Sequence, residues 1–464
     1  MRPSPRLIPI LCGLGGGLAL VLWLRASPGG DFAPRVPGTD RAAGTAEVVA
    51  RKVEGKLTKG DGEPAKLPGS WPRFRGARLD NVSRDDTPLA RSWPEGGPKV
   101  LWSLDVGEGY AGAAVRGGRV YLLDYDQKAQ ADALRCLSLA DGREVWRFSY
   151  PVKIKRNHGM SRTVPTVTDR YVVAFGPKCH VVCLDAATGE PLWPILDLVE
   201  AHGATVPPWY AGQCPLVDGN KLILGVGGPE ALLMAVEPET GKVLWKTPNP
   251  DNWRMTHSSV VPMDYRYRRM YVYCASGGVV GVDAEDGKVL WKTPEWRISI
   301  ATVPSPVVFE DGRIFLTGGY NAGSLMLQLR EKGEEFAAET LYRLAPRVFD
   351  STQHTPIFYD GNLYAVRSDG QLACADLGGN VLWTSGSGNT FGLGPYMIAD
   401  GLIYAMNDRG RLTLAEATAV GYRQLAQAQV FDHGHDAWGP MAIAGGRLIL
   451  RDLTRMACLD VSRP

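Results

Sequence analysis

From about residue 98 to the C-terminus, the hydrophobic positions fall in short runs separated by turn residues. One unit recurs: an apolar run, an Asp-Gly-like turn, a second run, another turn, a third run ending in Asp, a Thr-Gly or Asp-Gly turn, and a run carrying Trp. Its clearest copies are residues 183–193, 235–245 and 281–291, with further copies at 136–146 and, one residue shorter, 374–383. Trp102, Trp146, Trp193, Trp245, Trp291 and Trp383, with Tyr342 and Tyr422 at degenerate copies, follow one another at steps of 39 to 52 residues. A period of that size holds four short antiparallel strands, the size of one propeller blade.

A single unit of this kind exposes an apolar sheet face, so the copies must pack around a common axis. First strands begin near Ala113, Pro165, Pro215, Ser259, Pro306, Pro356, Pro395 and Pro440. This predicts an all-β fold, an eight-bladed β-propeller of four-stranded antiparallel blades, with seven blades as the alternative. Pro has no N–H to give to a ladder, so Pro at six of the eight starts places these strands innermost, free edge toward the channel. Residues 458–464 end the chain after a third strand, and residues 98–104 form a Trp strand with no blade before it. The N- and C-terminal strands are therefore expected to complete one blade and shut the ring.

Composition narrows the partners. The 464 residues are 45% hydrophobic and 22% charged, enough for a large core. Lys plus Arg number 51 against 49 Asp plus Glu, and no run of like charge breaks the mixture, which argues against a nucleic-acid partner. At the N-terminus, Arg2 and Arg6 precede an uncharged stretch, Leu7 to Leu24, closed by Arg25. As a helix it would span ~27 Å, so residues 1–25 read as a signal anchor that holds an exported protein at the inner membrane, with a cleaved signal peptide as the alternative. Residues 26–69, polar and rich in Gly, Pro and Lys, read as a flexible linker; 70–97 form a lead-in, and 98–464 the propeller.

The repeated pattern [AC]-[LV]-[DE]-x-x-[TD]-G-x-x-[LV]-W resembles the pyrroloquinoline-quinone-like (PQQ-like) propeller repeat. That repeat builds bacterial quinoprotein dehydrogenases and the non-enzymatic propeller lipoprotein of the outer-membrane barrel-assembly machinery. The lead-in Trp71-Pro-Arg-Phe-Arg-Gly76 is similar to the segment before the first blade in exported members. The resemblance implies one of two things. One is a docking surface that performs no chemistry. The other is a channel holding the quinone, with Ca²⁺ on carboxylate and amide ligands, a catalytic Asp, and often a disulfide between adjacent cysteines. No Cys-Cys pair occurs here, and no Glu, Asn and Asp set can be matched.

Cys136, Cys183, Cys374 and Cys458 share one repeat position, two residues before the Asp or its equivalent, which reads as a small buried slot. A pairing of Cys179 with Cys183 around one turn is the alternative. The repeat Trp residues read as inter-blade staples, and the repeat Asp residues as braces of the following turn. His158, His202, His257, His354, His433 and His435 fall in the connections from one blade's Trp strand to the next blade's first strand, which all open on one face. Trp209, Tyr210, Trp438, Arg156 and Arg297 lie in the same connections and complete the expected ligand- or partner-binding set at the channel mouth.

The expectation is an exported, membrane-tethered binding or scaffolding module at the cell envelope, with an envelope protein or glycan as partner. No catalytic residue, no metal and no cofactor are expected. The alternative is a PQQ-dependent alcohol or sugar dehydrogenase using PQQ and Ca²⁺.

Overall fold

The computed structural model describes residues 16–22, 25, 53–333 and 335–463. The chain divides into two units, residues 1–51 and 52–464. In the first, residues 16–22 are helical. Among the described residues no helix is long and apolar enough to cross a membrane, and most of the stretch 7–24 lies outside them.

The second unit is an eight-bladed all-β propeller, its described residues forming eight antiparallel sheets of four blade strands each. The innermost strands are Ala113–Arg116, Thr166–Val167, Leu216–Asp218, Val261–Tyr265, Val307–Val308, Ile357–Tyr359, Tyr396–Ala399 and Ala442–Ala444. The eighth sheet joins the two ends: Lys99–Asp105 pairs antiparallel with Arg455–Asp460, setting Trp102 opposite Cys458.

The repeat motif is explained by how neighbouring blades lock. Trp102, Trp146, Trp193 and Trp245 each lie against the turn glycine of the next blade, Gly142, Gly189, Gly241 and Gly287, where a Cβ would sit 2.4–3.0 Å from the indole. Those glycines have φ of 73–76°, a left-handed geometry that favours Gly. Several indoles also bond across: Nε1 of Trp102 donates to Leu139 O (3.1 Å), that of Trp193 to Pro238 O (2.9 Å) and that of Trp383 to Thr418 O (2.8 Å). The repeat Asp braces its turn, as where Asp185 accepts from the amides of Ala187 and Thr188. Cys136, Cys183, Cys374 and Cys458 are buried free thiols in the third strands, and Cys179 is free too.

Around the channel a second relay runs from blade to blade. Val164 N donates to Cys214 Sγ (3.3 Å), Cys214 N to Ser259 Oγ (2.9 Å), Ser259 N to Ser305 Oγ (3.0 Å), and Ser305 N to Thr355 Oγ1 (2.8 Å). Each of these four amides, just before an innermost strand, thus finds a side chain at the matching position of the next blade.

Two features depart from the repeat reading. In blade 2 the outer strand is only Leu196–Asp197, because Pro191 and Pro194 flank Trp193 and cannot donate to a ladder. The linker expectation for 26–69 needs correction at its end. Lys56–Lys59 forms a fifth strand on blade 1, paired antiparallel with residues 146–149, and Ala65 N donates to Gly118 O (3.0 Å). The outer strand of a blade has an unpaired edge, and this stretch satisfies it.

Candidate functional site

The connections between blades converge on one mouth of the channel and enclose a cavity of about 380 Å³, within the range of small-ligand sites. Its far end is closed by the lead-in. Trp71 bridges Val115 of blade 1, Arg73 donates to Val217 O of blade 3 (2.8 Å), and Val82–Ser83 pairs parallel with the innermost strand of blade 7. The lead-in thus crosses from one side of the ring to the other. It places Phe74, Arg75 and Asn81 in the lining, and the site is a blind funnel.

Of the residues expected at the mouth, the structure brings His158, His257, His354, Trp209 and Trp438 together around this funnel. His257 and His354 stand in its wall, Trp209 beside His257 (6.5 Å between ring centres) and Tyr396 beside His354 (5.3 Å). Burial, with Arg162 nearby, pushes the His257 pKa down to about 4, against a hydrogen bond to the Pro208 carbonyl. Burial pushes His354 down to about 4 as well, opposed by its hydrogen bond to the Leu393 carbonyl. Both imidazoles are therefore neutral at pH 7. Trp438 stacks against Tyr110 (5.0 Å), and its Nε1 donates to Asp408 (2.7 Å).

Other expected residues stand elsewhere. His202 ends the short helix Leu198–His202 and does not line the funnel; His433 and His435 are exposed outside it, His435 lying 3.8 Å from Asp436. Arg156 is exposed and paired with Glu108 (2.6 Å). Arg297 lines a separate open depression beside Trp253, its Nε donating to Gly277 O (2.7 Å). Tyr210 is buried behind Trp209, with Lys178 over its ring. For the exposed His433, His435 and Arg156 the physical reason is common: the connections are long enough to reach outward over the rim, so membership of a connection does not decide which side chain meets the channel.

Sequence reasoning did not assign Phe74, Arg75, Asn81 or Tyr320 to the mouth. Tyr320 comes from a turn within blade 5, and the other three from the lead-in, whose path beneath the ring no repeat encodes. A usable signal was Trp71-Pro-Arg-Phe-Arg-Gly76 itself, a dense apolar and cationic cluster outside the repeats.

Some of the backbone strain falls here. His158 (φ 53°), Trp209 (61°) and Tyr320 (58°) hold bulky side chains in the left-handed region, at a cost on the order of 1–3 kcal/mol each. Such geometry persists where surrounding contacts hold it, and it clusters at sites that bind.

The donor set can be tested against a quinone–metal centre. Among the described residues no Asp or Glu lines the funnel, and no group of three or more His, Cys, Asp or Glu is placed to hold a metal ion. Asp436 and Asp408 stand behind the wall, engaged with Tyr110 Oη (3.3 Å) and the Trp438 indole. The residues present do not fit a Ca²⁺-assisted quinone site with a catalytic carboxylate.

Comparison with known proteins fits this architecture. Quinoprotein alcohol dehydrogenase PedH of Pseudomonas putida is 27% identical over 136 residues, 28% of this chain and 21% of that protein. Quinohemoprotein alcohol dehydrogenase ADH IIB of Pseudomonas putida is 30% identical over 121 residues, 23% of this chain and 16% of that one. The matched segments span about a fifth or less of these relatives. Among solved structures, a europium-containing methanol dehydrogenase superposes with a TM-score of 0.59 over 83% of this chain and 90% of its own, at 12% identity. BamB from Moraxella catarrhalis superposes with a TM-score of 0.52 over 78% of this chain and 99% of its own, also at 12% identity. At that identity these two likenesses speak for the fold alone. The family model described as outer membrane protein assembly factor BamB matches residues 82–193 and 130–378, together well over half of the sequence, and the chain belongs to this family of PQQ-like propellers.

Proposed function

We propose that this protein is a non-catalytic binding module of the cell envelope, exported and tethered by its N-terminal segment, which seats a ligand or a protruding segment of an envelope partner in the blind funnel. The observation that carries the reading is the funnel itself: an aromatic and cationic cavity on a rigid ring, closed behind, with no carboxylate in its lining among the described residues. The Ca²⁺-assisted quinone chemistry that the resemblance implies needs such a carboxylate; a binding pocket does not. Loops fixed on a rigid scaffold lose little freedom on binding, which favours affinity.

A photo-crosslinking amino acid at Tyr320, on the funnel rim, tests this against one at Tyr267, a fully exposed turn residue away from the funnel. Adducts in intact cells are expected from position 320 and not from 267. Adducts from 267 alone would overturn the funnel reading.

The dehydrogenase reading keeps one supporting observation, the local sequence match to two alcohol dehydrogenases. Its test is direct: purified protein supplied with PQQ and Ca²⁺ should show neither a bound-quinone spectrum nor dye reduction with alcohols. Either signal favours the enzyme.

A further inference from the structure

We propose that the funnel is a metal-independent receptor for an organic carboxylate on an apolar body, with Arg162 as the anion-binding group. This rests on the funnel being a ligand site, and goes beyond that reading by naming the charge and class of what enters.

Two guanidinium groups stand in the cavity lining. Arg75, buried at the floor, donates Nε to Leu79 O (2.9 Å), Nη1 to Thr355 O (2.7 Å) and Nη2 to Pro356 O (2.9 Å). Arg162, in the wall, donates Nε to Trp209 O and Nη2 to the carbonyls of Asn157 (3.0 Å), His158 (3.3 Å) and Gly159 (3.4 Å). All of these acceptors are neutral backbone carbonyls. They fix each guanidinium in place and leave its charge without a counter-charge. One N–H on each terminal nitrogen of Arg75 and both on Nη1 of Arg162 remain without a partner among the described residues.

The neighbouring carboxylates do not supply that counter-charge by contact. Asp80 acts on Arg75 only at longer range and is bonded to Arg84 (2.6 Å). Glu108 holds Arg156, and Asp436 accepts from Tyr110. Burial lowers the pKa of both arginines to about 10, which leaves them charged at neutral pH, while the neutral His257 and His354 add no charge. A partly desolvated cation whose remaining N–H groups face a cavity favours an oxyanion there, and a guanidinium fork matches a planar carboxylate.

The rest of the wall specifies what the anion is attached to. Tyr110, under the Arg162 guanidinium (5.4 Å), continues into Trp438 (5.0 Å between ring centres), and Trp209 lines the same cavity. An ion such as inorganic phosphate would leave these rings wet; an aromatic or aliphatic body covers them. Two sources share this chemistry, a free aromatic carboxylate and the carboxyl terminus of a polypeptide.

The test uses the full chain and reads tryptophan fluorescence, since Trp209 and Trp438 line the cavity. The probes are phenylacetate, N-acetyl-leucyl-phenylalanine as the free acid, the same dipeptide as its amide, and inorganic phosphate. The free acid is expected to bind about tenfold or more tightly than the amide, to weaken with salt, and to ignore chelator. Arg162→Gln should remove most of the acid's advantage over the amide. Phenylacetate matching the peptide acid assigns a free small carboxylate; a clearly tighter peptide acid assigns a polypeptide terminus. Equal binding of acid and amide overturns the proposal while sparing the funnel as a site. Binding abolished by chelator, phosphate binding as tightly as the acid, or no response to either acid up to millimolar concentration also overturns it.

Discussion

At the scale of single residues, the funnel leaves a mark on acid stability. His257 and His354 titrate near 4 in the folded protein and near 6.5 when unfolded. Between those values the unfolded chain binds protons that the folded one refuses. Their effect is absent above pH 6.5 and grows as pH falls toward 4, at up to about 1.4 kcal/mol per pH unit for each residue. Asp132 works in the opposite sense: burial, opposed by Tyr150 and helped by Asp124, raises it to about 8, so the folded form holds a proton the unfolded chain has lost above about pH 4. That penalty grows as pH rises from about 4 to about 8, so below pH 6.5 it offsets part of the histidine effect. Comparison with His354→Gln isolates the histidine, because Gln keeps an N–H for the Leu393 carbonyl and does not titrate. We expect the drop in urea midpoint between pH 7 and pH 5 to be smaller in His354→Gln than in the wild type. Parallel profiles would mean that His354 is not held neutral.

At the scale of elements, the added strand Lys56–Lys59 covers the outer edge of blade 1 and packs Leu57 against the cluster that contains Trp146 and Phe148. Leu57→Pro removes a ladder donor and the apolar contact together. The expected outcome is a loss of about 1–3 kcal/mol in urea unfolding, with faster deuterium exchange confined to residues 146–149 and their neighbours. Faster exchange spread over all blades would show that this strand supports the whole ring. The strand also marks where sequence reading ends. Elements of the repeat were legible because Trp, the turn Gly and the strand-end Asp perform the same geometric tasks in most blades, so five clear copies and two degenerate ones announce themselves. Lys56–Lys59 and the lead-in perform their tasks once. Nothing in Lys-Leu-Thr-Lys says which edge it will meet, and Arg75 became a funnel residue only when Trp71–Ser83 was seen to cross beneath the ring. The mouth was half legible for a related reason. His257 and His354 sit close to the innermost strands and must face the channel, whereas His202, His433 and Arg156 sit further along longer connections that turn outward.

At the scale of the whole molecule, stability depends on closure. Each blade buries its faces only against two neighbours, so a ring has no terminal blade, and an opened ring has two. The closing strand Arg455–Asp460 pairs on one side with Arg447–Arg451 and on the other with Lys99–Asp105, and it buries Met456, Ala457, Cys458 and Leu459. Arg451 adds a second tie, its buried guanidinium donating to Gly107 O (2.9 Å) and Ala111 O (3.3 Å) at the entry to blade 1. A chain ending at Leu453 loses the strand and leaves two ladder edges open at once, and we expect it to lose the single sigmoidal urea transition and to aggregate. The point substitution Cys458→Ala keeps both ladders and should cost only about 1 kcal/mol, with one transition retained. Adding a peptide of residues 454–464 in trans to the shortened chain should restore a cooperative transition whose midpoint rises with peptide concentration, as binding linkage requires. A shortened chain that still unfolds in one step at the wild-type midpoint would mean that the blades hold together without the seam, and that the rigidity credited to the funnel has another origin.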